Sequence, residues 1–369
     1  MAKGSVHYEN RPHIRDRRTG VSLRRVTSGA DDAHHLYFTN PSFTPDGGTL
    51  VYVSFGSGVP ELYAQDIETG AAAQLTETRA LAEFSPHVAH RSRAVFYIDP
   101  PEVHRVDIDT LADEVIGRVP EGRRPAILTV SRDDEQLAFA HCALPAEADR
   151  MEALAIWSLR PASAIQVLHA DGSSERTVWE EGEWISHVQF CPTYPNLLLY
   201  CWEGPWDRVR QRMWLIETDG RHRRPLRPQE PGEMIGHEYW VSNGDEVVYE
   251  HRVREPGAAA GGRAAIRSIR RDGTGDRVIV ECPVSHCMSD AGNSIIVASA
   301  DAQQPPVLFR IDVAGGYYTV LCSHGSSWRG PRAHPHPSFS PDGRRLAFTS
   351  DREGSCDIYL VDLTEPAGV

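Results

Sequence analysis

The chain has 369 residues, of which 40% are hydrophobic and 24% charged, and it contains eight tryptophans. This composition is typical of a soluble globular protein with a sizeable core, and no run approaches the roughly 18 apolar residues of a membrane span. The formal net charge of −13 argues against general nucleic-acid binding, because that requires a basic surface.

Two further features predict a cytoplasmic protein that does not contact membranes. The first seven residues, from Met1 to His7, lack the apolar segment of a signal peptide. The seven cysteines are scattered, odd in number and never spaced as CxxC, which favours reduced thiols over a disulfide framework or a zinc site. They are Cys142, Cys191, Cys201, Cys282, Cys287, Cys322 and Cys356.

A repeating unit runs along the chain and consists of a strand that ends in a hydrophobic anchor, a tight turn, and further strands. The clearest copies begin at Ser42 and Ser338, where an Asp-Gly pair supplies the positive φ that tight turns require. The anchors are Phe43, Phe84, Val130, Phe190, Trp240, Met288 and Phe339. Their spacings of 41 to 60 residues resemble the roughly 40–50 residues of a propeller blade. We therefore predict an all-β, seven-bladed β-propeller.

The two ends of the chain predict how this ring closes. Residues 19–29 resemble the outer strand of the first blade but precede that blade, and the last unit stops after its third strand. We expect the N-terminal strand to complete the last blade. Residues 1–369 would then form one domain, with an extension at 1–18 and a tail at 364–369.

Two segments are longer than the repeating unit allows. They are Ala143–Ala153 in the third blade and Glu255–Arg263, which has a Gly/Ala-rich run, in the fifth. We predict that both are surface loops and that the second is mobile.

Histidine recurs just before the anchors of four consecutive predicted blades. The first strand of a propeller blade lines the central channel, so these side chains would face one axis near one mouth. Alternation along a strand would also place the last two on the same face. One such histidine needs no special explanation, but five together favour a metal site of neutral imidazoles with a base beside it. The five are His187, His237, His286, His334 and His336.

Arginines alternate with other residues at Arg208, Arg210 and Arg212. If this segment is extended, the three share a face and could bind carboxylates, whereas the alternative is a solvated edge strand. Tyr239, next to His237, could stack on a sugar. The sequence has no GxSxG, GxxxxGK[ST] or HExxH motif and no convincing pair of glycosidase carboxylates.

Taken together, the motifs resemble those of the oligogalacturonate lyase family, seven-bladed propeller enzymes of pectin degradation. The resemblance extends from about Asp16 to Leu363. It implies cytoplasmic, manganese-dependent β-elimination of short uronic-acid oligomers to products with 4,5-unsaturated ends. The motifs are Phe190–Thr193, Glu203–Trp206, Arg210–Trp214, Gly236–Trp240, Ser285–Ser289 and His334–Phe339.

The resemblance also implies roles for individual residues. His286, His334 and His336 match the metal-binding histidines, His237 matches the catalytic base, and Arg212 matches the arginine beside that base. We add Arg208, Arg210, Tyr239 and His187 as candidates for contact with an acidic oligosaccharide. A histidine can take a proton next to a carboxylate whose developing charge a divalent metal neutralises, so the chemistry agrees with these residue types.

The chain departs from the family pattern at two positions. Pro331 replaces a glutamine that binds metal in the family, and Trp202 replaces a residue that tends to be histidine. The metal would then be held by three histidines with water or with a substitute such as His187. The alternatives are a related lyase that acts on another uronide, and a non-catalytic propeller that binds a ligand or protein at the same mouth.

Overall fold

A computed structural model of the protein describes residues 2–253, 263–302 and 304–364. Its strands form seven separate antiparallel sheets, which confirms the predicted seven-bladed propeller. No helix among these residues has the length and apolar character needed to cross a bilayer.

The strands follow one another in chain order around the ring. Three strands precede the first blade: β1 (Val6–Tyr8), β2 (His13–Arg15) and β3 (Ser22–Arg25). Blade 1 contains β4 (Ala33–His35), β5 (Thr49–Ser54), β6 (Glu61–Asp66) and β7 (Ala71–Gln74), and blade 2 contains β8 (His87–Val88), β9 (Ala94–Asp99), β10 (Glu102–Asp107) and β11 (Asp113–Arg118). Blade 3 contains β12 (Arg124–Val130), β13 (Gln136–Cys142), β14 (Ser163–His169) and β15 (Glu175–Glu181). Blade 4 contains β16 (Ile185–Cys191), β17 (Tyr194–Trp202), β18 (Met213–Glu217) and β19 (Arg224–Pro225).

The remaining three blades complete the ring. Blade 5 contains β20 (Glu233–Trp240), β21 (Glu246–Val253), β22 (Arg263–Arg270) and β23 (Arg277–Glu281). Blade 6 contains β24 (Val284–Ser289), β25 (Ile295–Ala300), β26 (Val307–Asp312) and β27 (Tyr317–Ser323). Blade 7 contains β28 (Ser338–Phe339), β29 (Arg345–Ser350) and β30 (Asp357–Asp362), to which β3 and β2 are added.

The N-terminal segment closes the ring as predicted. β3 pairs with β30, with Leu23 opposite Val361, and so supplies the missing strand of blade 7. The sequence analysis treated residues 1–18 only as an extension, but β2 adds a fifth strand to blade 7 and β1 pairs with β7 of blade 1. The Asp16 carboxylate also accepts a hydrogen bond from the Ser323 amide in blade 6.

The core lies between neighbouring blades. Seven buried hydrophobic clusters are found among the described residues, and each of them spans the interface between two adjacent blades. Five of the predicted anchors lie at or next to the ends of inner strands, and Phe43 forms an isolated bridge with Leu50. Phe84 lies outside the inner strand of its blade, because β8 begins only at His87. Val88 takes the anchor position opposite Val95, while Phe84 packs on the His34 ring at 5.2 Å between centroids.

The two long segments have different outcomes. Within Ala143–Ala153 the chain forms a 3-10 helix (Ala146–Arg150), and a short α-helix, α1 (Ala153–Ser158), follows, with Ile156 buried. The segment is therefore partly helical and packs against the rest of the protein through Ile156. Of the second segment, residues 255–262 lie outside the described residues, as do residues 365–369 of the tail.

An unpredicted loop crosses the central axis. Between β4 and Phe43 the chain leaves blade 1 as Leu36–Pro41, which we name the axial loop. Its Asn40 amide donates to the carbonyls of Pro86 and Leu128, in front of blade 2 and in blade 3, at 2.9 and 3.0 Å. Tyr37 reaches His187 of blade 4, and the Phe38 ring contacts those of His237, His286 and His336. The axial loop therefore touches all six other blades.

Candidate active site

Four histidines on consecutive blades occupy an unusual backbone conformation. The φ angles are 35° at His187, 49° at His237, 53° at His286 and 45° at His336. The first three lie at interruptions of the pairing between the inner strand and its neighbour. Bulges of this kind re-aim side chains and concentrate near functional sites, and positive φ is uncommon outside glycine. These bulges thus re-aim the imidazoles of His187, His237 and His286, whereas His336 has positive φ without a bulge of this kind.

Three of the predicted histidines form a compact group. Ligand atoms of His286, His334 and His336 all lie within 4.8 Å of one another. Burial and the neighbouring imidazoles lower the pKa of His286 and His336 well below the usual value, and mainly burial lowers that of His334 to about 4. All three rings are neutral near pH 7, which is the form that binds a metal ion.

The predicted reason for their convergence was wrong for the last pair. His334 and His336 do not lie on a strand, because Pro331–Ala333 forms a 3-10 helix and β28 begins only at Ser338. Pro335 and Pro337 lack the N–H group that a strand ladder requires. The pair is instead presented by an irregular segment.

His237 lies directly beside this group. Its ring centroid is 3.9 Å from that of His286, and its Nδ1 is 2.9 Å from a carboxylate oxygen of Glu250 on β21. Glu250 is 1% exposed. A carboxylate accepts hydrogen bonds, and this contact is shorter than the 3.4 Å contact of Nδ1 with the His286 amide. In the neutral ring it therefore places the hydrogen on Nδ1 and leaves Nε2 as an acceptor.

Arg212 is buried inside the protein. It is 1% exposed, and its guanidinium donates to Glu203 and Glu238 at 3.0 Å each and contacts His187 Nδ1 at 3.0 Å. Burial would lower the pKa of Arg212, but Cys201 and the two carboxylates hold it well above the usual value. Its described polar contacts do not include His237 itself but do include Glu238, the next residue along the chain, so its role beside the base stays a prediction.

A second cluster of potential metal ligands surrounds this arginine. His187, Cys201 and Glu203 also bring ligand atoms within 4.8 Å. Arg212 already places a positive charge among them, and it holds the pKa of Glu203 well below its usual value against the effect of burial. His187 Nε2 is engaged 2.9 Å from the Tyr37 hydroxyl. This cluster is an internal ion-pair network, and His187 does not join the histidine trio.

The predicted shared face of the arginines and the predicted sugar contact of Tyr239 are corrected, while substrate contact by Arg208 and Arg210 stays a prediction. Residues 206–208 form a turn, so Arg208 and Arg210 do not share a face with Arg212. Both line a separate cavity of about 950 Å³, next to Trp157 and Trp202. Tyr239 is 1% exposed and packs in the hydrophobic cluster between blades 5 and 6, where a sugar cannot reach it.

A central cavity of about 950 Å³ opens onto the trio. His286, His334 and His336 lie in its wall, and Pro331 lines it without a side-chain oxygen to offer. Arg123, Arg124 and Arg332, which the sequence analysis missed, also line it, as do Tyr37 and Ile156 of α1. Arg124 begins β12, the inner strand of blade 3, and this place on an inner strand was the available signal.

Comparison with known proteins identifies the family. The family model described as oligogalacturonate lyase matches residues 1–367. The chain belongs to the oligogalacturonate lyase family. It is 28% identical to an oligogalacturonide lyase of Pectobacterium atrosepticum, over 99% of both chains. A solved oligogalacturonate lyase in complex with manganese superposes with a TM-score of 0.92, 28% identity and 99% coverage of both chains. A second oligogalacturonate lyase structure, from Vibrio parahaemolyticus, superposes with a TM-score of 0.90, 27% identity and 100% coverage of both chains.

Membership in the oligogalacturonate lyase family confirms the resemblance inferred from the joined motifs. The similarity covers the whole propeller, including the blades that supply the five histidines. The family assignment favours an enzyme over a non-catalytic binding propeller.

Proposed function

We propose that this protein is a lyase that cleaves short uronic-acid oligosaccharides, such as the oligogalacturonates released from pectin, by metal-assisted β-elimination. The products would carry 4,5-unsaturated ends. The observation that carries the proposal is the group of three neutral imidazoles beside a fourth histidine with a buried carboxylate partner.

The three imidazoles fit a divalent metal ion. Imidazole ligands suit Mn, Fe, Ni or Zn better than Ca or Mg, and a structure similar to this chain is a manganese complex. His286, His334 and His336 would hold the ion. When bound, it would supply Lewis-acid stabilisation of negative charge on a substrate carboxylate. Pro331 offers no fourth ligand, so we expect weaker metal binding than in relatives that have glutamine there.

His237 is the proposed base. With its Nδ1 hydrogen directed at Glu250, Nε2 is left to accept the C5 proton next to the substrate carboxylate. Arg123 and Arg124 give the cavity positive groups that suit the carboxylates of an acidic oligosaccharide, whereas Arg332 is paired with Glu83, which lines the same cavity. We infer that Arg212 supports this site from within, by holding Glu203, Glu238 and His187 in place.

The decisive measurement is absorbance of the conjugated product on a panel of oligouronates, with and without Mn²⁺. Activity that depends on metal and is highest on galacturonate oligomers supports the proposal, whereas no product from any oligouronate rejects it. Preference for another uronide would identify a related lyase.

Two substitutions separate the base from a metal ligand. His237→Ala should lower turnover by about 10²–10⁴-fold while metal content stays nearly unchanged, because the base does not bind the ion. His336→Ala should lose both metal and activity. His169→Ala, at a half-exposed histidine on blade 3, is the control and should change neither. Loss of metal from His237→Ala would make His237 a ligand and contradict the mechanism.

We also propose that the protein acts in the cytoplasm. All seven cysteines are free and buried, as expected for a protein that folds in a reducing compartment. Cell fractionation with antibody detection tests this, and recovery of the protein outside the cytoplasm would contradict it.

A further inference from the structure

His336 reaches the histidine trio from a strained backbone. Its φ of 45° lies in the left-handed region, which is strained for a residue other than glycine and persists only if its surroundings enforce it. The prolines on either side cannot donate backbone hydrogen bonds. Some other group must therefore hold this segment in place.

His35, on β4 of blade 1, makes that contact across the seam between the first and last blades. Its Nε2 lies 2.5 Å from the carbonyl oxygen of His336, and its Nδ1 lies 2.7 Å from the hydroxyl of Thr349 on β29. The ring is 2% exposed. Since a carbonyl only accepts, Nε2 carries the hydrogen, and in the neutral ring Nδ1 accepts from the Thr349 hydroxyl.

The surrounding bonds hold this arrangement together. Thr349 serves the same segment twice, because its amide also donates to the Pro335 carbonyl at 3.0 Å. The carbonyls of Pro335 and His336, two residues of the metal-ligand segment, are thus both held by neighbours on β4 and β29.

We propose that His35 is a positioning residue for the metal site: its Nε2–H bond to the His336 carbonyl fixes the backbone that aims the His336 imidazole at His286 and His334. The inference rests on the proposed function, which supplies the metal. Groups that orient metal ligands typically cost 10–100-fold in metal affinity when they are removed. The seam that closes the ring would then also set the affinity of the site.

The test is a titration of the metal-free protein with Mn²⁺ in which calorimetry measures the binding affinity. His35→Leu removes the donor and should weaken Mn²⁺ binding about 10–100-fold. His35→Gln keeps an N–H group at similar reach and should bind nearly as well as the original protein. His87→Leu is the matched control, because His87 is also 2% exposed on an inner strand, but it contacts the Val88 carbonyl. It should leave Mn²⁺ affinity unchanged.

Each outcome decides the matter. Unchanged affinity in His35→Leu overturns the inference while the proposed function stands. If His35→Leu does not fold, Thr349→Val is measured instead: it leaves His35 in place but removes the hydroxyl that fixes its tautomer, and it should bind Mn²⁺ several-fold more weakly. Unchanged affinity there overturns the inference as well. An original protein that binds no Mn²⁺ rejects both this inference and the metal part of the proposed function.

Discussion

Arg212 is an uncommon residue because it is fully buried between two carboxylates. Separate guanidinium nitrogens serve Glu203 and Glu238, each at 3.0 Å. Alternation along the sequence suggested an arginine on the same face as Arg208 and Arg210, but it could not reveal that one of the three points into the protein. The buried acidic partners, which come from different blades, decide the matter.

Removing this arginine should be severely destabilising. Arg212→Leu leaves the buried carboxylate of Glu238 and the partly buried one of Glu203 without their counter-charge, for which we expect a loss of about 3–5 kcal/mol in the free energy of unfolding. Arg212→Lys keeps the charge without the planar fork and should be less severe but still impaired. Urea unfolding measures both.

Arg208→Leu is the control for these variants, because Arg208 has an exposed side chain in the same segment. It should stay within about 0.5 kcal/mol of the original protein. Equal stability of Arg212→Leu and Arg208→Leu would show that the buried network contributes little.

At the scale of elements, β3 closes the ring by filling a prepared gap. Leu23 is fully buried in the hydrophobic cluster between blades 6 and 7, whereas Val6 on β1 is 57% exposed. Leu23→Ala should therefore cost about 2–5 kcal/mol, the range for a truncated core leucine. Val6→Ala should change stability by less than about 0.5 kcal/mol. Thermal unfolding compares them, and a similar small effect for both would mean that closure is not what stabilises the last blade.

The repeats and the closing strand could be predicted from sequence because their signals are local. In the turns, Asp46 and Asp342 each accept a hydrogen bond from a hydroxyl two residues earlier, and Gly47 and Gly343 supply positive φ. The axial loop was missed because Leu36, Tyr37 and Phe38 read like a strand. Only contacts with other blades reveal that it leaves the sheet.

The histidines of the candidate site were found by their spacing from the anchors, but their geometry was not. The bulges that turn His187, His237 and His286 depend on the register between two strands, which one sequence does not display. His35 and Glu250 were missed because they lie on blade 1 and on a second strand, where no repeat position pointed to them.

At the scale of the whole molecule, acid should destabilise the metal-free protein already at pH values well above those at which carboxylates become protonated. Burial lowers the pKa of His35 and His90 to about 4 and that of His324 to about 3. In the unfolded chain these histidines titrate near 6.5. Between about pH 6.5 and 4 the unfolded state therefore binds protons that the folded state does not, and stability falls as pH falls.

The expected slope is up to about 1.4 kcal/mol per pH unit for each such histidine. Urea unfolding of the metal-free protein at pH 7, 6 and 5 measures it. Stability that is constant or rises on acidification across this range would contradict the burial of neutral rings. We also propose that the chain is one domain, for which a single transition common to fluorescence and circular dichroism is expected.

The axial loop determines how substrate and product can enter and leave the enzyme. Because Tyr37, Phe38 and Asn40 bridge the axis to every other blade, a polymer cannot thread from one face of the ring to the other. Under the proposed function, substrate and product must share one entrance. Catalysis would then be distributive, with each product leaving before the next chain end enters. Accumulated product would also compete with substrate for the same entrance.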